Sequence, residues 1–335
     1  MQSIEALLPQ LNTPQPIVIT MHQKPDGDAM GSALGLYQWL IQLGHEVTVI
    51  SPTNWANFLN WMPGCDKVID FESFQHEATN IAMQAAIIFC LDFNTAHRTK
   101  HFESALRKSP AIKVLIDHHE QPDTAFFNYG VSITAKSSTC EMVYDFIMSS
   151  EHAHLLNKEV AACLYTGMMT DTGSFRFGAA TASLHRAVAH LKDVGLEHTH
   201  IHSNIFDSFL ENRLRFIGFA LLNRMEVLYD YNTCVMHIQS EDLKRFEIKT
   251  GDTEGLVNYL LSIQGVRFGA LVIDRDEERR WSFRSKGNFD VNTFARTHFE
   301  GGGHFNAAGG RSSDTLKNTL QKFKGLLPQY ASQLQ

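Results

Sequence analysis

A chain of 335 residues with 44% hydrophobic and 19% charged residues is long enough for two domains and apolar enough to bury a sizeable core. A formal net charge of -7 argues against a protein that tracks long duplex nucleic acid, because such binding rests mostly on neutralising phosphates with basic side chains. No apolar run approaches the ~20 residues of a bilayer span, and the five cysteines form no CxxC pair, so a reducing, cytoplasmic setting and no membrane partner are expected.

Pro16–Thr20 (PIVIT) reads as a buried strand running into a loop that ends at Asp28. Apolar residues then recur at helical spacing from Ala29 to Leu43, with Gly44 placed to end the helix. His45–Ile50, Ala85–Leu91 and Ile112–Ile116 are further strands, the last two each running into an aspartate. Ser138 or Thr139 can cap a helix through Glu141 and Tyr144. Strands alternating with helices predict an α/β domain with a mainly parallel sheet over residues 1–192. The polar, histidine-rich stretch that starts at Asp193 is taken as a linker over 193–215. Residues 216–335 then form a smaller α/β domain, with a cleft expected between the two. Its strands lie near Cys234–Ile238, Arg267–Ile273 and Trp281–Arg284, and helices near Glu254–Ser262 and Leu316–Leu326. Arg275, Arg279 and Arg280 are assigned to an exposed turn.

The polar residues that follow these strands carry the chemistry. After PIVIT come His22, Asp26 and Asp28; after AAIIFCL comes Asp92; after IKVLI come Asp117, His118 and His119. Ligands of open α/β sheets bind beyond the carboxyl ends of the strands, so three strand ends deliver carboxylates and imidazoles to one crevice. Asp171, after the apolar run VAACLYTGMM, is a fourth contribution. A lone Asp after a strand is usually a turn residue or a helix cap. The ordered combination HxxxDxD, Asp, DHH and a later Asp is far more specific. So many carboxylates in one crevice repel one another unless cations neutralise them. Two divalent ions would do so, and mixed His/Asp ligation suits manganese, iron, cobalt or zinc better than calcium. Gly27, between two aspartates, is expected to let the loop bend so that both carboxylates face inward.

This order of residues resembles the DHH phosphoesterase superfamily, which includes RecJ-type exonucleases, family II pyrophosphatases, exopolyphosphatases and small oligoribonucleases. The resemblance extends to the second half, where Gly301-Gly302-Gly303-His304-Phe305-Asn306-Ala307-Ala308-Gly309 is similar to the GGGHxxAAG signature of the DHHA1 domain. The pairing most resembles nano-RNases that also dephosphorylate 3′-phosphoadenosine 5′-phosphate (pAp). It implies two divalent ions, Mn2+ first, with Mg2+ or Co2+ as alternatives. His22 and Asp26 would hold one ion, Asp28, His118 and Asp171 the other, and Asp92 would bridge them. Asp117 would support the histidines, His119 would lie at the scissile phosphate, and Arg98 would face the site as a second catalytic group.

In the second domain the glycine run exposes backbone N–H groups that can cradle an anion, and His304 adds a side-chain donor. Arg284 and Ser285 resemble a substrate-gripping Arg-Ser, and arginine suits a terminal phosphate because its fork donates two parallel hydrogen bonds. Gly302, Gly303, His304, Arg284 and Ser285 are therefore the substrate-binding set. Phe175 and Phe177 offer a stacking surface for a base. The expected substrates are short RNA oligonucleotides, pAp or linear dinucleotides, and a homodimer is left open. The alternatives are a manganese-dependent pyrophosphatase or exopolyphosphatase, and a non-catalytic nucleotide sensor. The sensor would be marked by missing metal ligands, and the sequence lacks none.

Overall fold

The structure, a computed structural model, describes residues 1–335 except Gly178, Thr250, Asp276 and Glu277. The chain divides into two units, Met1–Ser208 and Phe209–Gln335. In the first unit the strands are β1 (Gln2–Ser3), β2 (Pro16–Thr20), β3 (Glu46–Ser51), β4 (Ile69–Asp70), β5 (Ile87–Leu91), β6 (Ile112–Asp117) and β7 (Tyr129–Ser132). They form one sheet in the order β1-β7-β6-β5-β2-β3-β4, and every pairing is parallel. Alternate residues of β2 and β5 enter different cores. Ile17, Ile19, Ile87, Phe89 and Leu91 join one, while Val18, Ile88 and Cys90 join the other. Burial on both faces explains why these strands read as unbroken apolar runs.

Helices α1 (Gly27–Gln42), α2 (Gln75–Gln84), α3 (Glu103–Lys108), α4 (Thr139–Met148), α5 (Lys158–Asp171), α6 (Ala182–Asp193) and α7 (His198–Phe206) complete the unit. From β2 the chain builds outward to β3 and β4, then returns to build β5, β6 and β7 on the other side. The order therefore reverses between β2 and β5, and a crevice opens beyond the strand ends at such a point. The stretch read as a linker carries α7, whose Ile201 and Ile205 are buried in the first unit's core. The polar sequence hid this because only two apolar residues, four apart, anchor the helix.

Gly27 has a role other than the bend expected of it. It opens α1 as a helical residue, and a Cβ there would lie 2.5 Å from Thr170 Oγ1. Gly31 and Gly35 repeat the contact one and two turns on, against Cys163 and Leu164 of α5. The i, i+4, i+8 stripe of glycines thus lets two helix backbones approach closely. That approach brings Asp28 on α1 toward Asp171, which ends α5.

The second unit holds α8 (Glu211–Asn223), α9 (Ser240–Arg245), α10 (Leu256–Leu260), α11 (Val291–His298) and α12 (Leu316–Tyr330). Its strands are β8 (Met225–Leu228), β9 (Thr233–Ile238), β10 (Phe268–Arg275), β11 (Glu278–Ser285), β12 (Gly302–His304) and β13 (Ala307–Ser312). They form a mixed sheet in the order β12-β13-β11-β10-β9-β8 in which only β9 and β10 run parallel. One face packs a Phe-rich cluster with Phe268, Trp281, Phe283 and Phe294, and the other packs Phe216, Met236 and Leu271. Arg279 and Arg280 lie in β11 rather than in a turn, and Arg279 Nε reaches Asp274 Oδ1 across the hairpin at 3.0 Å. No helix among the described residues is long and apolar enough to cross a membrane.

Candidate active site

The loops after β2, β5 and β6 converge with the C-terminus of α5. Asp26 caps α1, its Oδ1 accepting from the amides of Asp28 and Ala29 at 3.1 Å each. The ordinary duty of an aspartate before a helix is thus met by one oxygen, and the residue still groups with His22 and Asp92. His22 donates Nδ1–H to the Gln23 carbonyl at 2.8 Å, which leaves Nε2 3.3 Å from Asp92 Oδ2 and 3.9 Å from Asp26 Oδ1. His118 is fixed in the same way. Its Nδ1 faces the Lys136 carbonyl at 3.3 Å, and its Nε2 lies 3.7, 3.5 and 3.4 Å from Asp28, Asp92 and Asp171. A backbone acceptor on one ring nitrogen that frees the other for a cation is a common arrangement of metal-binding histidines.

His119 differs from its neighbour. Its Nδ1 lies 2.7 Å from Asp117 Oδ1 and 3.7 Å from Asp92 Oδ1. Asp117 is completely buried, and its Oδ2 has no hydrogen-bond partner among the described residues.

The electrostatics of this cluster fit divalent cations. Burial, and then the charge of Asp92, push the Asp28 carboxyl up to about 7. Burial and the charge of Asp28 push Asp171 well above the ordinary carboxylate range. Asp171 also sits at the negative end of the α5 dipole, where a carboxylate is disfavoured. Burial opposes charge on Asp92 as well, but bonds from His118 and His22 outweigh it and hold its pKa well below the usual value. Burial likewise opposes the His118 charge, yet Asp92, Asp171 and Asp28 together keep its pKa well above normal. Left to itself the crevice keeps protons on some of its acids. Cations held by the same oxygens and imidazoles would replace those protons.

Asp92 belongs to three groups whose donor atoms lie close enough to hold a cation: with His22 and Asp26, with Asp28 and His118, and with Asp117 and His119. It adopts a left-handed backbone with φ +62°. Such conformations in non-glycine residues cost roughly 1–3 kcal/mol and gather at functional sites. Lys24 after β2, Gln121 after β6, and Ser174 and Phe175 after α5 share it. Arg98 is half-buried, and its charge acts on His22. Phe175 packs against Tyr165, at 5.7 Å between ring centroids, and the first unit's core. Phe177 is exposed, with the Arg176 guanidinium 5.8 Å from its ring centroid. Of the two aromatics read as a stacking surface, only Phe177 presents its ring outward.

In the second unit, sheet register sets the candidate substrate residues side by side. His304 pairs with Ala307, and Ala307 pairs with Arg284. Residues opposite each other on adjacent strands point to the same face, so His304 and Arg284 flank the small Ala307. Gly302 and Gly309 are paired two residues along, and a Cβ on Gly302 would lie 3.4 Å from Arg296 Nε and 3.5 Å from Asn292 Oδ1. The glycines are also demanded by close strand packing. A Cβ on Gly301 would strike the Gly309 carbonyl, and one on Gly303, at φ +155°, would lie 2.5 Å from the Ala307 carbonyl. The run is therefore a strand of a tight hairpin, not a loop ahead of a helix. Ser285 is buried, and its hydroxyl donates to the Phe289 carbonyl at 2.7 Å while accepting from Asn306 Nδ2 at 2.8 Å. Its bonding is thus directed into the domain. Asn292, unmarked by the sequence reading, accepts from the Gly303 amide at 2.9 Å and from Arg296 Nε at 3.0 Å.

The profile of the DHH family, N-terminal domain, matches residues 16–168, and that of the DHHA1 domain matches residues 230–333. A crystal structure of an exopolyphosphatase-related protein from Bacteroides fragilis superposes with a TM-score of 0.94 at 36% identity, covering 99% of this chain and 97% of that one. The chain belongs to the DHH family. It is 28% identical over 300 residues to the Bacillus subtilis (strain 168) bifunctional oligoribonuclease and PAP phosphatase NrnA, 88% of each chain. The Thermus thermophilus protein of the same name is 28% identical over 304 residues, 88% of this chain and 83% of that one. The triplet that gives the DHH family its name is here Asp117-His118-His119, at the carboxyl end of β6.

Around it the sequence reading missed a supporting layer. The N-terminal amides of α4 and the buried Glu141 hold residues 136–140 in place, with Glu141 accepting from Ser137 N, Ser137 Oγ and Lys136 Nζ at 2.7–2.9 Å. The cap expected at Ser138 is present, its Oγ accepting from the Glu141 amide at 3.1 Å, but that expectation did not extend to the bonds Glu141 makes back to residues 136 and 137.

Proposed function

We propose that this DHH-family hydrolase is a two-metal phosphoesterase that cleaves short oligoribonucleotides to mononucleotides and removes the 3′-phosphate of pAp. The observation that carries the reading is Asp92, a carboxylate shared by the donor group of His22 and Asp26 and by that of Asp28 and His118. His22, Asp26 and Asp92 would hold one ion, and Asp28, His118, Asp171 and Asp92 the other, with Mn2+ the expected metal. Such a pair would supply positive charge to stabilise the oxygens of a phosphoryl displacement. The chain's own groups do the rest. Asp117 holds Nδ1–H of His119, so His119 Nε2 is the atom that exchanges a proton with the leaving oxygen. Arg98 contributes a fixed positive charge for the phosphate.

The preference for a short nucleotide over an inorganic substrate rests on Arg284 and His304, set on one sheet face about Ala307. They grip a phosphate or nearby group of the substrate other than the one being cleaved. The names borne by the Bacillus subtilis and Thermus thermophilus relatives support this reading. The Bacteroides fragilis relative's description keeps polyphosphate as the second reading.

The test is a comparison of initial rates of the Mn2+-loaded protein on pApA, pAp, pyrophosphate, polyphosphate and a long single-stranded RNA. The highest rates are expected on pApA and pAp. Turnover confined to the inorganic substrates would replace the nucleotide reading with the second one. Arg284→Ala should cost about ten- to a hundredfold in kcat/KM on pApA, the worth of a charged hydrogen bond. It should cost much less on bis-p-nitrophenyl phosphate, which has no second anchoring group. Equal losses on both would withdraw the grip.

A further inference from the structure

Asp92 must offer an oxygen to each of two donor groups, and the torsion that orients a carboxylate is intrinsically loose. Its Oδ2 faces His22 Nε2 at 3.3 Å. Its Oδ1 faces His118 Nε2 at 3.5 Å and accepts a hydrogen bond from Thr139 Oγ1 at 3.0 Å. Thr139 is completely buried, so the one proton of its hydroxyl is committed to Asp92. The same residue also reaches the other carboxylate. The amides of Thr139 and Cys140, at the start of α4, donate to Asp28 Oδ2 and Oδ1 at 2.7 and 2.8 Å. Thr139 is therefore tied to both acids, through its main chain to one and through its side chain to the other. The Ser138 cap and the Glu141 bonds keep it in place.

We propose that Thr139 is a positioning residue of the metal centre, whose hydroxyl holds the Asp92 carboxylate in the plane that serves two divalent ions at once. This rests on the two-metal reading above and names a determinant of it outside the ligand set. Without the hydroxyl, Asp92 is free to turn both oxygens toward one group, and the second ion is then held more weakly.

The experiment measures Mn2+ binding by calorimetry and by elemental analysis after dialysis, on wild type, Thr139→Val and Thr139→Ser. Both variants keep the amide that holds Asp28. Valine preserves the shape and removes the hydroxyl, whereas serine keeps the hydroxyl and removes the methyl. Wild type and Thr139→Ser should bind two Mn2+ per chain with similar affinity. Thr139→Val should bind at least one of them about ten- to a hundredfold more weakly, the usual scale for a partner that orients a metal ligand. Melting of the chelated proteins reads folding separately, and Thr139→Ala replaces Thr139→Val if the latter does not fold. Two Mn2+ at wild-type affinity in the hydroxyl-free variant would overturn the proposal. Equal weakening in Thr139→Ser and Thr139→Val would overturn it too, because packing would then be the cause. A wild-type protein that binds no second Mn2+ would instead remove the two-metal reading itself.

Discussion

His118 turns its Nε2 toward Asp28, Asp92 and Asp171, whereas His119 commits its Nδ1 to Asp117. Adjacent residues of one type thus receive different partners, and their variants should separate metal binding from chemistry. His119→Ala should keep two Mn2+ per chain and lower kcat by about a hundredfold or more, the scale of a lost proton donor or acceptor. His118→Ala should lose metal. Elemental analysis beside steady-state rates decides, and metal loss in His119→Ala would move that residue into the ligand set. Asp26 shows how far one residue could be read from sequence. Its position before a helix predicts a cap, its spacing from His22 and Asp28 predicts a ligand, and in the structure it caps α1 while grouping with His22 and Asp92.

Helix α1 sets the distance between Asp28 and Asp171 through its contact with α5, so the glycine stripe belongs to the site although no glycine touches a substrate. A Cβ on Gly31 would lie 2.6 Å from the Cys163 carbonyl and 2.9 Å from Cys140 Sγ, and a backbone oxygen cannot swing aside. Gly31→Ala should therefore destabilise the protein by roughly 1–3 kcal/mol, as overpacking does. Gly218 in α8 is the control, since a Cβ there meets nothing within 4 Å. Gly218→Ala should stabilise by about 0.5–1 kcal/mol, because alanine is the better helix former. Urea melts of the two variants check both signs. A Gly31→Ala protein as stable as wild type would mean that α1 and α5 can separate without cost. The helices themselves were legible from apolar spacing. Their glycine contact was not, because it depends on which helix faces which.

On the scale of the whole molecule, four groups of the site, Asp28, Asp171, His118 and His22, contribute to stability with an unusual dependence on pH. Asp28 (about 7) and Asp171 have pKa values raised in the fold above 3.8, and those of His118 and His22 are raised above 6.5. Above about pH 4 the folded protein therefore holds protons on Asp28 and Asp171 that the unfolded chain has released, and above 6.5 it does so on His118 and His22. The contribution of these groups to stability falls as pH rises through those windows, whereas His45, His202, His237 and His298, lowered in the fold, act with the opposite sign below 6.5. Asp92 is shifted the other way, so its contribution is complete above 3.8 and is lost only in stronger acid. The chelated protein should melt at a lower Tm at pH 8 than at pH 5. Saturating Mn2+ should flatten or reverse the slope, because the ions take the place of the protons. A chelated protein more stable at pH 8 than at pH 5 would show that groups elsewhere dominate the titration.

The sequence by itself determined the parallel α/β unit, the chain order of the acids and histidines, and their delivery from the ends of β2, β5 and β6. Each of these follows from local pattern. Unbroken apolar runs make buried strands, and polar residues just beyond such a strand lie at its carboxyl end. Only the tertiary structure decided which atoms meet. It placed Asp92 among the donors of both His22 and His118 and tied Asp28 and Asp92 through Thr139. It turned the Ser285 hydroxyl into the domain and aligned His304 with Arg284 across Ala307. The physical reason is the same in each case. Strand register, helix approach and the choice among hydrogen-bond partners depend on how the elements pack, and no local spacing encodes them.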